Sequence, residues 1–216
     1  MAGQPQLLGA QEGRDVLTVA SRRGFTLIEV LVTMSILALL LALGAPAMGT
    51  YLQNSKLAAV TSSLYSAVQT ARTEAIRRNV QAQFVLTDTP VSTADIANVL
   101  APAVAGVNWV VRAASGATFV PIEAKAGAEG DASTGPPSVQ VAGAASAPVA
   151  FDGTIPFNGF GQTLTGVRYT IDVSNPAAGI CAAAGGTIRC RRIIVSSGGQ
   201  IAACDPAAPV GDSRAC

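Results

Sequence analysis

Histidine is absent from this 216-residue sequence, and only 12% of its residues are charged. The missing imidazole removes the usual general base of serine and cysteine hydrolases and the commonest metal ligand. We therefore expect no enzyme, with no catalytic residues, no metal site and no cofactor. With 14 basic and 13 acidic residues the net charge is +1, so no overall field recruits nucleic acid or anionic lipid. Half of the residues are hydrophobic, which predicts a buried core or a membrane segment.

Charge is also missing from a long stretch near the amino terminus. No charged residue occurs between Glu29 and Lys56. An apolar helix of about 20 residues crosses the hydrocarbon core of a bilayer, so we predict a transmembrane segment at about 27–47. Arg22 and Arg23 precede it, and the positive-inside rule then places the chain beyond Pro46 outside the inner membrane. Hydropathy alone leaves a plain single-pass anchor as an alternative.

The residues at the start of this stretch carry a more specific signal, Arg23-Gly24-Phe25-Thr26-Leu27-Ile28-Glu29. This segment resembles the cleavage and methylation signal of type IV pilins and type II secretion pseudopilins. The resemblance implies that residues 1–24 are a leader peptide, that a prepilin peptidase cuts between Gly24 and Phe25, and that the new amino group of Phe25 is methylated. The implied partners are this peptidase, the other pilins or pseudopilins of the same filament, and the inner membrane.

Glu29 needs a physical reason, because a carboxylate at membrane depth costs several kcal/mol unless it is paired. The alternative is an acidic residue in the first helical turn, where the helix dipole contributes only about 0.3–1 kcal/mol. In the family that the signal resembles, this glutamate pairs with the amino terminus of a neighbouring subunit. We therefore predict that Glu29 acts in assembly.

The helix is predicted to continue beyond the apolar stretch, over residues 25–79. Pro46 removes one backbone hydrogen bond, so we predict a kink there. Beyond it, apolar residues recur every three or four positions, which is typical of an amphipathic helix packed on a domain: Leu57, Val60, Leu64, Val68, Ala71 and Ala75. The segment 71–79 also resembles the helix end of the GspH/FimT family of minor pseudopilins and pilins.

Extended segments separated by Pro- and Gly-rich breaks follow residue 79. The predicted strands are 80–87, 107–112, 117–122, 139–141, 149–151, 167–173, 188–195 and 200–204, with a surface loop at 127–137 and a terminal hairpin turning at Ser197-Gly198-Gly199. The predicted fold is α+β and type IV pilin-like. A long bent N-terminal helix, membrane-spanning and then amphipathic, packs on a mainly antiparallel β-sheet domain at 80–216 in the periplasm.

All four cysteines lie in the last 36 residues, at Cys181, Cys190, Cys204 and Cys216. No Cys-x-x-Cys motif occurs among them, so disulfides in an oxidising compartment are favoured over metal or redox sites. Four cysteines allow three pairings. A tight terminal hairpin would bring Cys190 close to Cys204 on adjacent strands, which favours that pair and leaves Cys181 for Cys216.

Arg189, Arg191 and Arg192 form a dense basic cluster in the sheet domain. A solvated strand face explains them, and contact with DNA phosphates is the alternative. Some FimT-like pilins are associated with DNA uptake through a Gly-Arg-x-Arg pattern in the terminal hairpin. The matching stretch here is Gly199-Gln200-Ile201-Ala202, which lacks both arginines. The resemblance therefore implies a subunit that assembles into or primes the tip of a type II secretion pseudopilus or type IV pilus, with a DNA-uptake pilin as the alternative.

Overall fold

The computed structural model describes residues 24–89, 91, 101–125 and 140–216, without the side chains of residues 43–47. The predicted leader, except for Gly24, and the predicted loop at 127–137 lie outside the described residues. The chain divides after Leu43 into two compact units. The second unit, from Gly44 onward, contains the sheets and the part of the helix that packs on them.

Helix α1 spans Leu27–Arg78, in agreement with the predicted helix to within two residues at each end. At its start, the hydroxyl oxygen of Thr26 accepts the N–H of Glu29 at 3.3 Å, as an N-cap residue does. At its end, Arg77 and Arg78 both bind the Glu74 carboxylate, and both cations lie where the helix dipole favours them. Pro46 lies inside the helix, and the bend predicted there stays a prediction.

The amphipathic half of α1 buries the face that the sequence predicts. Five of its apolar residues are at most 1% exposed: Leu57, Leu64, Val68, Ala71 and Ala75. Ala67 and Thr61 lie on the same face, while Val60 is only partly buried. Burying a side chain as large as leucine contributes about 1.5–3 kcal/mol, so this face contributes several kcal/mol to the packing of the helix on the sheets.

The first sheet contains strands β1 (Ala82–Thr87), β2 (Asn108–Ser115), β3 (Thr118–Lys125) and β5 (Thr154–Phe157), in the spatial order β3-β2-β1-β5. All its neighbouring pairs are antiparallel. Alternation divides β1 and β2 between two faces. Phe84, Trp109 and Val111 join the core beneath the helix, whereas Gln83 and Arg112 belong to the opposite face.

The second sheet contains β4 (Gln140–Ala145), β6 (Tyr169–Ser174), β7 (Arg191–Val195) and β8 (Ile201–Cys204), in the order β4-β6-β7-β8. Its pairs are also antiparallel, and a short 3-10 helix at Ala182–Ala184 precedes β7. Residues of both sheets and of α1 form one hydrophobic core. The predicted α+β architecture of a long helix on antiparallel sheets is confirmed.

One predicted strand is wrong and one was missed. Residues 149–151 form no strand, and β5 lies instead at Thr154–Phe157. β5 contains Pro156, which has no N–H to donate to a ladder, and so the sequence pattern argued against a strand there. The strand exists because β5 lies at the edge of its sheet, where one side needs no partner.

Candidate functional site

The processing signal precedes and opens helix α1. Gly24 and Phe25 are exposed ahead of the helix, with Phe25 at 84% exposure, and Thr26 caps the first turn. Glu29 occupies that first turn. The Thr26-Leu27-Ile28-Glu29 spacing is that of a capping box, so the same residues that resemble the signal also start the helix.

The first segment of α1 presents apolar side chains all around its surface. Every side chain from Leu27 to Ala42 is classed as exposed, and Leu27, Leu39, Leu40 and Leu41 exceed 60% exposure. A helix that is hydrophobic all round requires an apolar environment, from lipid or from other helices. Within the described part of the chain, no helix has a stretch long and apolar enough to cross a membrane.

The three arginines that the sequence grouped do not form one basic surface. Arg191 and Arg192 are neighbours on β7, so their side chains leave opposite faces of the sheet. Arg192 forms a two-point ion pair with Asp172, directly across the ladder, at 2.6 and 3.1 Å. This hydrogen bond raises the pKa of Arg192. Its charge is therefore engaged within the sheet.

Arg191 faces the helix instead. It lines a cavity of about 410 Å³ between α1 and the end of the second sheet, together with Thr61, Tyr65 and Cys204. Its guanidinium lies 3.8 Å from the buried carboxylate of Asp205. Arg189 is exposed, and its backbone N–H binds Asn54 on the helix at 2.8 Å. Of the three, Arg191 and Arg192 each lie beside a carboxylate, which weakens the case for a phosphate-binding cluster.

The terminal hairpin adds no charge to this region. Ser196 donates its N–H to Gln200, and Gly199 adopts a positive φ of 79° in the turn, as predicted for Ser197-Gly198-Gly199. Gly199 also packs against the carbonyl of Gly161, which accepts the Nε–H of Arg72 from the helix. A Cβ at Gly199 would overlap that carbonyl. The hairpin tip is thus a packed structural element.

The predicted cysteine pairing is wrong, although all four cysteines form disulfides. The structure joins Cys181 to Cys190 and Cys204 to Cys216, with Cα separations of 5.4 and 5.1 Å. The hairpin register places Arg192, not Cys190, opposite Cys204. A diagonal neighbour two residues away lies at about 7–8 Å, beyond the usual reach of a disulfide.

Local bridges bring the observed partners together. The N–H of Ala182 binds the carbonyl of Ile188, which brings Cys181 close to Cys190. The N–H of Asp205 binds the carbonyl of Arg214, which brings Cys204 close to Cys216. Among the described residues, no group of Asp, Glu and Cys could hold a metal ion.

Two features escaped the sequence analysis. Asn175 directly follows β6 and is 1% exposed. Its side-chain amide donates a hydrogen bond to the side-chain oxygen of Gln53 at 2.8 Å, which joins the end of β6 to a helix residue 122 positions earlier in the sequence. Arg112 lies in a polar cleft on the outer face of the first sheet. The alternation of Trp109, Val111 and Ala113 with Val110 and Arg112 was a signal that Arg112 faces away from the core.

Two family models and two solved structures are similar to parts of this chain. A model of the prokaryotic N-terminal methylation motif matches residues 19–45, and a model of type II transport protein GspH matches residues 60–199. A comparison with curated protein sequences gave no match. Two crystal forms of the type IV minor pilin FimU from Pseudomonas aeruginosa are similar at 16% identity, with TM-scores of 0.44 and 0.42. These alignments cover 70% and 68% of this chain, and 90% and 91% of the pilin.

The GspH model spans more than half of the chain and includes α1 from residue 60 onward, all of the first sheet and the second sheet except β8. The methylation motif covers the segment that contains Gly24, Phe25 and Glu29. The chain therefore belongs to the family of type II transport protein GspH, a family of pilin-like subunits with a prepilin N-terminal motif.

Proposed function

We propose that this chain is a minor subunit that assembles into, or primes the tip of, a type II secretion pseudopilus or a type IV pilus. The observation that carries the proposal is the segment Leu27–Ala42, an exposed apolar helix that lies within the residues matched by the methylation-motif model. An isolated chain leaves this surface uncovered, and a bundle of like helices would bury it. The protein acts by assembly, as a non-enzymatic component.

Processing and location follow from the same segment. We propose that residues 1–24 are removed, that the cut falls between Gly24 and Phe25, and that Phe25 is then methylated. The helix over residues 25–79 would anchor the protein in the inner membrane through about 27–47, as a single pass. The domain at 80–216 would then lie in the periplasm, where its two disulfides are stable.

Glu29 is the residue that we propose for registry between subunits. Its position in the first turn places its carboxylate near the chain start, where the methylated amino group of a neighbouring subunit could pair with it. In an apolar surrounding such a pair offsets the cost of the buried charge, and without the pair that cost is several kcal/mol. Assembly is therefore coupled to the correct stagger of the helices.

Matched substitutions test this role. We expect Glu29→Gln to leave processing intact while incorporation into the filament falls at least about tenfold, because the lost pair is worth more than 1.4 kcal/mol. Glu74→Gln is the control, since Glu74 lies on the same helix but pairs with Arg77 and Arg78 of its own chain. Co-purification of tagged filament subunits measures incorporation. Equal incorporation of the two variants would contradict the proposal.

The DNA-uptake alternative has less support. Arg192 forms an ion pair with Asp172, and Arg191 forms one with Asp205. The terminal hairpin has Gln200 and Ala202 at the positions where the DNA-uptake pattern has arginines. With Arg191 and Arg192 beside carboxylates, Arg189 provides one phosphate contact, which supports only weak binding with a shallow salt dependence. We therefore favour the assembly role over capture of nucleic acid.

A further inference from the structure

The outer face of the first sheet, opposite the helix, contains an arginine that the packed core does not explain. Arg112 on β2 lies directly across the ladder from Gln83 on β1, and Gln83 lies across from Pro156 on β5. The Nε–H of Arg112 donates to the Gln83 side chain at 2.9 Å. The guanidinium carbon lies 4.9 Å from the centroid of the Phe119 ring. These two contacts fix the plane of the guanidinium.

The remaining donors of Arg112 have no hydrogen-bond partner within the described ranges. Among the described residues, no oxygen accepts a hydrogen bond from its two Nη groups, which carry four of the five N–H donors. The side chain is nevertheless half-buried, and loss of water lowers the pKa of Arg112. No carboxylate bonds to these Nη groups among the described residues, and the charge of Asp152 offsets the desolvation of the guanidinium only in part.

Arg112 lines a cleft of about 280 Å³, which has room for a small ligand and several waters. Its other polar lining comes from both sheets and from the segments beside their strands: Gln81, Asp152, Thr154, Thr165 and Tyr169. Asp152 accepts the N–H of Thr154 at 2.9 Å, and its charge raises the pKa of Arg112 less than burial lowers it. One positive and one negative side chain line the cleft, so a monoanion fits its charge better than a dianion does.

We propose that this cleft binds a carboxylate, held end-on by the two Nη groups of Arg112. A planar guanidinium with two free parallel donors matches a carboxylate in a two-point, charge-assisted contact. Hydroxyl or amide groups attached to that carboxylate would find acceptors at Asp152 and Gln81. The carboxylate comes either from a small periplasmic acid or from an acidic side chain of another protein. The site is independent of which filament the subunit joins.

The test uses the full chain in detergent micelles with ¹⁵N-labelled arginine. Sodium acetate is titrated against sodium chloride at equal ionic strength, and the Nε and Nη resonances of Arg112 are followed by NMR. We expect a saturable shift with acetate, with binding about tenfold or more tighter than that of chloride. The exposed Arg189 should show no such preference. An identical response to both salts, or no saturation with acetate, would overturn the proposal.

A variant gives a second readout. Arg112→Gln removes the charge while keeping an amide donor near Gln83, and we expect its unfolding temperature without acetate to be no lower than that of the wild type. Acetate should raise the unfolding temperature of the wild type but not of Arg112→Gln. Fluorescence of Trp109, the only tryptophan and 2% exposed, follows unfolding. Equal stabilisation of both proteins by acetate would contradict the site. If the variant does not fold, the wild-type titration decides.

Incorporation of Arg112→Gln into filaments then identifies the source of the carboxylate. Reduced incorporation, with acetate binding established in the wild type, indicates an acidic side chain of a neighbouring subunit. Unchanged incorporation with the same acetate binding indicates a free carboxylate. Arg189→Gln is the matched control, since it removes the same charge from an exposed position outside the cleft. Both results support the carboxylate site.

Discussion

Replacing two cysteines at a time with serine distinguishes one disulfide connectivity from another. The structure joins Cys181 with Cys190 and Cys204 with Cys216, across sequence separations of 9 and 12. Loops of about 10 and 13 residues restrict the unfolded chain by about 2.7 and 2.9 kcal/mol in the chain-entropy model. The double variant Cys181→Ser with Cys190→Ser removes one link completely. Its free energy of unfolding should therefore fall by about 3 kcal/mol.

The matched double variant Cys190→Ser with Cys204→Ser removes one cysteine from each link. It leaves Cys181 and Cys216 without partners, so both links are lost and the expected cost is about 5 to 6 kcal/mol. The two variants have the same composition, which makes them controls for each other. They differ in whether the two replaced cysteines belong to one disulfide or to two.

Urea unfolding gives the stability of each variant, and thiol titration of the denatured protein counts free cysteines. We expect no free thiol after loss of Cys181 and Cys190, and two free thiols after loss of Cys190 and Cys204. The reverse result would refute the observed connectivity and restore the pairing of Cys190 with Cys204. It would also require a different register for β7 and β8.

Tryptic peptide mapping of the unreduced chain tests the disulfide connectivity independently. Cleavage after the arginines at 168, 189, 191, 192 and 214 separates all four cysteines into different peptides. The structure predicts that peptide 169–189 is linked to 190–191, and that 193–214 is linked to 215–216. A link between peptides 190–191 and 193–214 would instead show a disulfide between Cys190 and Cys204.

Three further predictions concern the mature terminus, the hairpin and DNA. Intact mass of the membrane-extracted protein should give a chain that begins at N-methylated Phe25, and a chain that begins at Met1 or near Ala45 would contradict this. Gly199→Ala should destabilise the protein by about 3 kcal/mol, because the positive φ costs about 1–2 kcal/mol and the new Cβ overlaps the Gly161 carbonyl. Gly198→Ala, with open space around its Cβ position, should change the urea midpoint little, and equal effects would refute the packing argument. Duplex DNA should bind no tighter than about 10⁻⁴ to 10⁻⁶ M, with a log–log salt slope near one, in fluorescence anisotropy. Submicromolar binding with a slope of about three would show that the β7 arginines leave their carboxylates for phosphate.

The sequence alone determined the features that depend on neighbouring residues. The run from Gly24 to Glu29 lies within the match to the methylation motif and contains the helix start, since a short motif and a capping box each depend on a few neighbouring positions. The apolar spacing from Leu57 to Ala75 predicted the buried face of α1, because a helix repeats every 3.6 residues whatever it packs against. Gly199 was placed in a turn from its local sequence.

Tertiary structure decided the features that depend on register between distant strands. Cys204 lies opposite Arg192 rather than Cys190, and a shift of two residues in a hairpin is enough to change which cysteines can bond. Arg191 and Arg192 are adjacent in sequence, yet strand alternation places them on opposite faces with separate carboxylates.

The polar cleft shows the same limit on sequence reasoning. Arg112, Gln83 and Asp152 come from different strands and a loop, so no local pattern contains all three. Only the packed sheets bring them to one face and remove water from the guanidinium, because desolvation depends on everything that surrounds a group in space. Local spacing therefore predicted the helix and its N-terminal motif. The ion pairs of the arginines, the desolvation of Arg112 and the disulfide connectivity could be seen only in the folded domain.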